Sequence, residues 1–134
     1  MIGVLLISHG GMAEGVLSSV SMLVPQLEQV DFLALWPEDN PDDFQAKLGK
    51  KIGALDAGDG VFILADMLGG TPSNRAMYFV GDHVHVLTGL SLPMLYSLLS
   101  MREEFTDLGD LADEVMAETQ IGTVDVNKLL KEKG

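Results

Sequence analysis

The chain has no cysteine among its 134 residues. That excludes disulfides, thiolate metal sites and a cysteine nucleophile. Basic residues are scarce: eight Lys and Arg stand against twenty Asp and Glu, for a formal charge of −12. Such a surface repels nucleic-acid phosphates and anionic lipid, which removes nucleic acid from the expected partners. It suits a partner with a basic face, although plain solubility accounts for the acidity equally well. No apolar run reaches the length of a membrane span. Met1-Ile2-Gly3 leads straight into an apolar run without the basic segment of a signal peptide, so the expected location is the cytoplasm. Hydrophobic residues make up 47% of the chain, enough for a sizeable core, and its length suits one domain spanning 1–134.

What is present alternates between strand and helix patterns. Apolar runs predict strands at Ile2 to Ile7, Val30 to Trp36, Val61 to Leu64 and Val84 to Thr88. Between them lie helical stripes. The first carries Val16, Leu17, Val20, Leu23 and Val24 and ends at Pro25. The second has Asn40 as its cap, Pro41 as its first residue, Asp42 and Asp43 at the positive end of the dipole, and Phe44, Leu48, Ile52 and Leu55 as its buried face. A third is expected from Pro72 through Met77 and Phe79 with Thr71 as cap, a fourth from Pro93 with Leu95, Leu98 and Leu99. A fifth starts at Thr106 or Asp107 and carries Leu108, Leu111, Val115 and Met116. In the segment 121–134, Val124 and Val126 alternate with Thr123 and Asp125, which predicts a last edge strand over Gly122 to Val126 followed by a frayed, charged tail from Lys128 to Lys133. The expected fold is an α/β three-layer sandwich with a mostly parallel sheet, of order about 2-1-3-4, plus that antiparallel edge strand.

Two stretches carry the chemistry: Ser8-His9-Gly10-Gly11 after the first strand, and Asp66-Met67-Leu68-Gly69-Gly70-Thr71-Pro72 after the third. Ligands of open α/β sheets bind beyond the carboxyl ends of strands, where the strand order reverses. In the order 2-1-3-4 the reversal falls between the strands that end near His9 and Asp66. There Asp66 can accept a hydrogen bond from Nδ1–H of His9 and leave the Nε2 lone pair free as a nucleophile. Gly69, Gly70 and Thr71 precede a helix, so their N–H groups and the Thr71 hydroxyl can face an anion. Each feature alone has an ordinary reading, as a loop histidine, a turn aspartate or a plain helix start. Their convergence on one sheet edge points to holding a phosphoryl group on a histidine.

Other residues have weaker claims. His83 and His85 share a strand face but lack a third ligand at sensible spacing, which favours a structural role over a metal site. Met12, Met22, Met67, Met77, Met94 and Met101 read as core and rim packing. Trp36 and Pro37 form either one wall of the site or a plug over the core, and Arg75 reads as a surface residue. The acidic run Glu103-Glu104 with Asp107, Asp110, Asp113 and Glu114 reads as a solvated face.

Three stretches, Val4-Leu5-Leu6-Ile7-Ser8-His9-Gly10, Ala65-Asp66-Met67-Leu68-Gly69-Gly70-Thr71-Pro72-Ser73-Asn74 and Thr88-Gly89-Leu90-Ser91-Leu92-Pro93-Met94-Leu95, resemble the enzyme IIA component of the mannose-type (mannose–fructose–sorbose) sugar phosphotransferase system. The resemblance runs from Ile2 to about Val126. It implies that His9 is phosphorylated at Nε2, that Asp66 orients it, and that Gly69, Gly70 and Thr71, with Leu68 in the same loop, hold the phosphoryl group. It implies the histidine phosphocarrier protein as donor, a histidine of enzyme IIB as acceptor, and indirect, peripheral association with the membrane components IIC and IID. It further implies a homodimer with the C-terminal strand exchanged between subunits, and it requires no cofactor and no metal ion. The family often has an aromatic residue where Leu68 stands and an asparagine where Ser91 stands.

Competing readings remain open at this point. The phosphotransfer subunit of dihydroxyacetone kinase uses the same chemistry on another acceptor. A phosphate- or flavin-binding module without transfer activity would use the Gly69-Gly70-Thr71 loop alone. A receiver-like module with Asp66 as acceptor needs an acidic pair after strand one, where Ser8-His9-Gly10 stands instead. A hydrolase with His9 as base lacks a separate nucleophile.

Overall fold

The computed structural model describes residues 1–133, apart from the side chain of Ile121. In chain order the elements are β1 (Gly3–His9), α1 (Met12–Val20), β2 (Val30–Leu35), α2 (Pro41–Leu55), β3 (Val61–Ala65), α3 (Thr71–Ala76), β4 (Val84–Thr88), α4 (Leu92–Met101), α5 (Leu108–Ile121) and α6 (Val126–Lys133). Single 3₁₀ turns follow α3 at Met77–Phe79 and α4 at Arg102–Glu104. The four strands form one sheet of order β2-β1-β3-β4, and every pairing is parallel. The expected order is therefore found.

The layers follow from strand periodicity. Successive side chains of β1 point to opposite faces. Ile2, Val4 and Leu6 pack with Ala13 and Val20 of α1, with Met94, Leu95 and Leu98 of α4, and with Leu111 and Val115 of α5. Leu5 and Ile7 pack with Phe44, Leu48 and Leu55 of α2 and Ala76 of α3. Helices thus cover both faces, which is why β1 and β3 read as unbroken apolar runs rather than alternating ones. Asn40 caps α2, its Oδ1 accepting from the Asp42 N–H at 2.7 Å, with Pro41 as first helical residue. Asp107 caps α5.

Five expectations need correction. The edge strand over Gly122 to Val126 does not form: residues 122–125 are irregular and Val126 opens α6. The Asp125 side chain accepts from the Lys128 N–H at 3.2 Å, and its carbonyl accepts from Leu129, so Asp125 caps a helix and the tail is helical rather than frayed. The first helix stops at Val20, because Met22 and Leu23 close tight turns back to Ser19 and Val20 ahead of Pro25; Leu23 is consequently exposed. Thr71 is the first residue of α3 and not its cap, which is Gly70 in extended conformation. His9 is the last residue of β1 rather than the residue beyond it, paired with Leu35 of β2.

Arg102 joins the far end of the sheet to its surroundings. It is 4% exposed and donates to the Ile2 carbonyl at 3.0 Å and the Glu28 carbonyl at 2.6 Å. Burial lowers its pKa, while Glu103 and Glu28 oppose that shift.

Candidate functional site

The strand order reverses between β1 and β3, and the site lies at their carboxyl ends. Ile7 is level with Ala65 in the register, so Asp66 emerges one step later beside the end of β1. The Asp66 N–H donates to the Ile7 carbonyl at 3.1 Å, which keeps the chain paired up to the carboxylate itself.

The carboxylate is filled with donors. Oδ2 of Asp66 accepts the His9 backbone N–H at 2.9 Å and lies 2.7 Å from His9 Nδ1; Oδ1 accepts the Met67 N–H at 2.9 Å. Burial raises the Asp66 pKa, but the hydrogen bonds from the His9 backbone, the His9 ring and the Met67 backbone outweigh it, and the carboxyl ends below its ordinary value. An ionised carboxylate only accepts hydrogen bonds, so the neutral imidazole carries its proton on Nδ1 and presents an unprotonated Nε2. The Asp66 side chain is 10% exposed and the His9 side chain 48%, so the anchor is covered and the ring is open to a partner.

Glycine makes the remaining geometry possible. Gly10 has φ +55°, which turns the chain from β1 into α1 directly after His9. Gly69 has φ +89°, the conformation that a type II turn demands of its third residue, and it aims the loop back at His9. The Gly69 and Thr71 N–H groups find no acceptor among the described residues. Ser73, buried one turn into α3, donates its hydroxyl to the Gly70 carbonyl at 3.1 Å and fixes the loop from below.

His9 and Gly10 open onto a groove of about 600 Å³. Leu35, Trp36, Pro37 and Pro41 give it apolar lining, and Asp39 and Thr71 line it as well. Trp36 and Pro37 are therefore a wall of the site, one of the two readings the sequence left open. Asp39 was not singled out in the sequence; its Oδ2 accepts the Trp36 N–H at 2.8 Å and sets the loop that carries the indole. The signal was there in an aspartate three residues past Trp36 in a Pro-Glu-Asp-Asn turn. Leu68 is 67% exposed at the edge of the loop. Ser91 caps α4 instead, its Oγ accepting the Met94 N–H at 3.2 Å.

The other candidates lie elsewhere. Arg75 bonds Asp42 at 2.7 Å and Gln45 at 2.9 Å, which ties α3 to α2. His85 packs on Phe62 with ring centroids 5.3 Å apart, and His83 lies 4.0 Å from Asp56. No group of three or more His, Cys, Asp or Glu that could hold a metal ion is assembled among the described residues. Met94 is buried, whereas Met12, Met22, Met67 and Met77 are exposed.

The chain as a whole is similar to known proteins. The model of a family described as "PTS system fructose IIA component" matches residues 3–116. The chain is 33% identical over 118 residues to the PTS system mannose-specific EIIAB component of Escherichia coli K12, covering 84% of this chain and 36% of that protein. It thus spans about a third of the length of that relative. Among solved structures, the phosphotransferase system component EIIA of Streptococcus agalactiae superposes with a TM-score of 0.87 at 28% identity, covering 96% of this chain and 99% of that one. The mannose/sorbose-specific IIA subunit of Enterococcus faecalis gives 0.81 at 31% identity, covering 92% and 93%.

Proposed function

The chain belongs to the PTS fructose IIA component family, and from that premise we propose that it is a phosphoryl carrier of the phosphoenolpyruvate-dependent sugar phosphotransferase system, charged on His9. The observation that carries the proposal is the 2.7 Å contact between His9 Nδ1 and Asp66, which leaves Nε2 unengaged on a half-exposed ring that lines the groove.

The Nε2 lone pair attacks phosphorus while the N–P bond of the donor phosphohistidine breaks, and the electron pair of that bond returns to the donor ring. Nδ1 keeps its proton throughout. The imidazole gains positive charge as the new N–P bond forms, and the Asp66 carboxylate stabilises it across a bond already in place. The N–H groups at Gly69, Gly70 and Thr71 and the Thr71 hydroxyl receive the phosphoryl oxygens, with Leu68 at the rim. Phosphoryl transfer depends mainly on such positioning and charge stabilisation.

The donor in this reading is the histidine phosphocarrier protein and the acceptor a histidine of enzyme IIB. The net charge of −12 favours partners with basic docking faces. The carrier then works in the cytoplasm, as a single IIA domain over 1–134, and reaches the membrane components IIC and IID only through IIB; no helix is long and apolar enough to cross a membrane among the described residues. A homodimer completes the reading, supported by Val126, Leu129 and Leu130, which leave an apolar stripe exposed along α6. The relatives named above are sugar-system components, which favours this reading over a dihydroxyacetone kinase subunit.

The test is passage of label. With enzyme I, the histidine phosphocarrier and labelled phosphoenolpyruvate, the chain acquires label, and added IIB removes it. Label that stays on the chain in the presence of competent IIB removes the acceptor half of the proposal.

A further inference from the structure

Ser8 is fully buried at the end of a strand whose preceding residues, Val4 to Ile7, are apolar and equally buried. A hydroxyl in such a place costs free energy unless both its donor and acceptor capacities are used. Here both are. Ser8 Oγ accepts the Ala13 N–H at 2.8 Å and donates to the Gly10 carbonyl at 3.1 Å.

Both bonds act on the segment around His9. α1 has Gly11 at its cap position with no side-chain cap, so the N–H of Ala13 would be an orphan of the first turn. Ser8 supplies the missing cap from the strand side and, by the second bond, closes the turn at Gly10, whose φ is +55°. The Gly10 N–H donates to the Leu35 carbonyl at 2.7 Å, and the His9 N–H donates to Asp66 at 2.9 Å. The backbone carrying the imidazole is thus held from β2, from Asp66 and from Ser8.

We infer that Ser8 is a positioning residue that locks the turn after His9 and thereby keeps Nδ1 on Asp66 and Nε2 free. The inference rests on the reading of His9 as phosphoryl acceptor, but its structural part is measurable without any transfer. A hydroxyl that only filled space would be replaceable by a methyl group; one that sets the base of the His9 side chain is not, because small displacements of a reacting atom cost large factors in rate.

The experiment compares wild type, Ser8→Ala and Ser8→Thr. Nitrogen-15 NMR of the His9 ring at pH 8 reads the tautomer, and the rate of charging by the phosphorylated donor reads the consequence. Wild type gives one protonated Nδ1 and one unprotonated Nε2. Ser8→Ala gives averaged ring-nitrogen shifts and charging slower by roughly tenfold, while Ser8→Thr, which keeps the hydroxyl, restores both. If Ser8→Ala is not folded by circular dichroism, Ser8→Cys is read in its place, since a thiol is a poor hydrogen-bonding substitute of similar size. Wild-type ring shifts and an unchanged rate in the folded variant overturn the inference. A wild-type chain that takes no phosphoryl group sinks the carrier reading instead, and the ring shifts still decide the part of Ser8.

Discussion

Gly70 stands so close to the His9 imidazole that a Cβ built on it would lie 2.4 Å from Cε1 and 3.0 Å from Nε2. The ring therefore has Asp66 on its Nδ1 side and bare backbone against its other edge. A methyl group at residue 70 forces the ring away, and the ring cannot move without giving up the 2.7 Å bond to Asp66. Gly70→Ala is expected to lower the rate of charging about a hundredfold while α3 keeps its place. Steady-state labelling from the phosphorylated donor, with circular dichroism as the control for folding, checks this. A near-normal rate would mean that the ring is not confined there.

Asp66 makes stability depend on pH. Its folded pKa is below its unfolded one, so the hydrogen bonds to the carboxylate stabilise fully above the ordinary value near 4 and fade as pH falls through the lower folded value. Asp66→Asn loses the charge and sets an amide where both oxygens accept N–H groups. The variant should be less stable than wild type at pH 7, with the difference narrowing as pH falls below about 4. Urea denaturation across that range measures it; a difference independent of pH would contradict the assignment.

How much of this was legible depended on range. His9, Asp66 and the glycine loop could be read because each sits at a boundary between an apolar run and a turn, and parallel α/β topology brings such boundaries together. The cap at Asn40 is a local hydrogen-bonding pattern and could be read as well, while the start of α5 was open between Thr106 and Asp107, of which Asp107 is the cap. The segment after Gly122 misled, because Val124 and Val126 satisfy a strand period over a stretch too short to exclude a helix, and Asp125 then caps one. The 57-residue separation of His9 from Asp66 hides their distance, and the cap that Ser8 lends to α1 lies outside any helix-start pattern.

Arg102 separates stability from chemistry. It lies by Ile2, at the opposite end of β1 from His9, about 20 Å away along a strand of this length. Arg102→Met leaves the Ile2 and Glu28 carbonyls without their donor and should cost about 3 kcal/mol of stability. The charging rate of the folded variant should stay at the wild-type value. Thermal melts and label uptake below the melting range test the pair of statements, and a slowed rate in folded protein would show coupling across the sheet.

The apolar stripe of α6 tests the homodimer. Leu129 and Leu130 are exposed in the single chain of 14.4 kDa. Sedimentation equilibrium should give twice that mass for wild type and the single-chain mass for the double variant Leu129→Asp, Leu130→Asp. Dimers that persist in the variant would place the interface elsewhere.

On the proposed function, His9 alone carries the phosphoryl group. Intact mass after incubation with phosphoenolpyruvate, enzyme I and the histidine phosphocarrier, for wild type and His9→Ala, tests it most directly. Wild type should gain the mass of one phosphoryl group, lost in acid and stable in base, and the folded variant none. An unmodified wild type beside a demonstrably charged donor, or a variant that still gains the group, would contradict it.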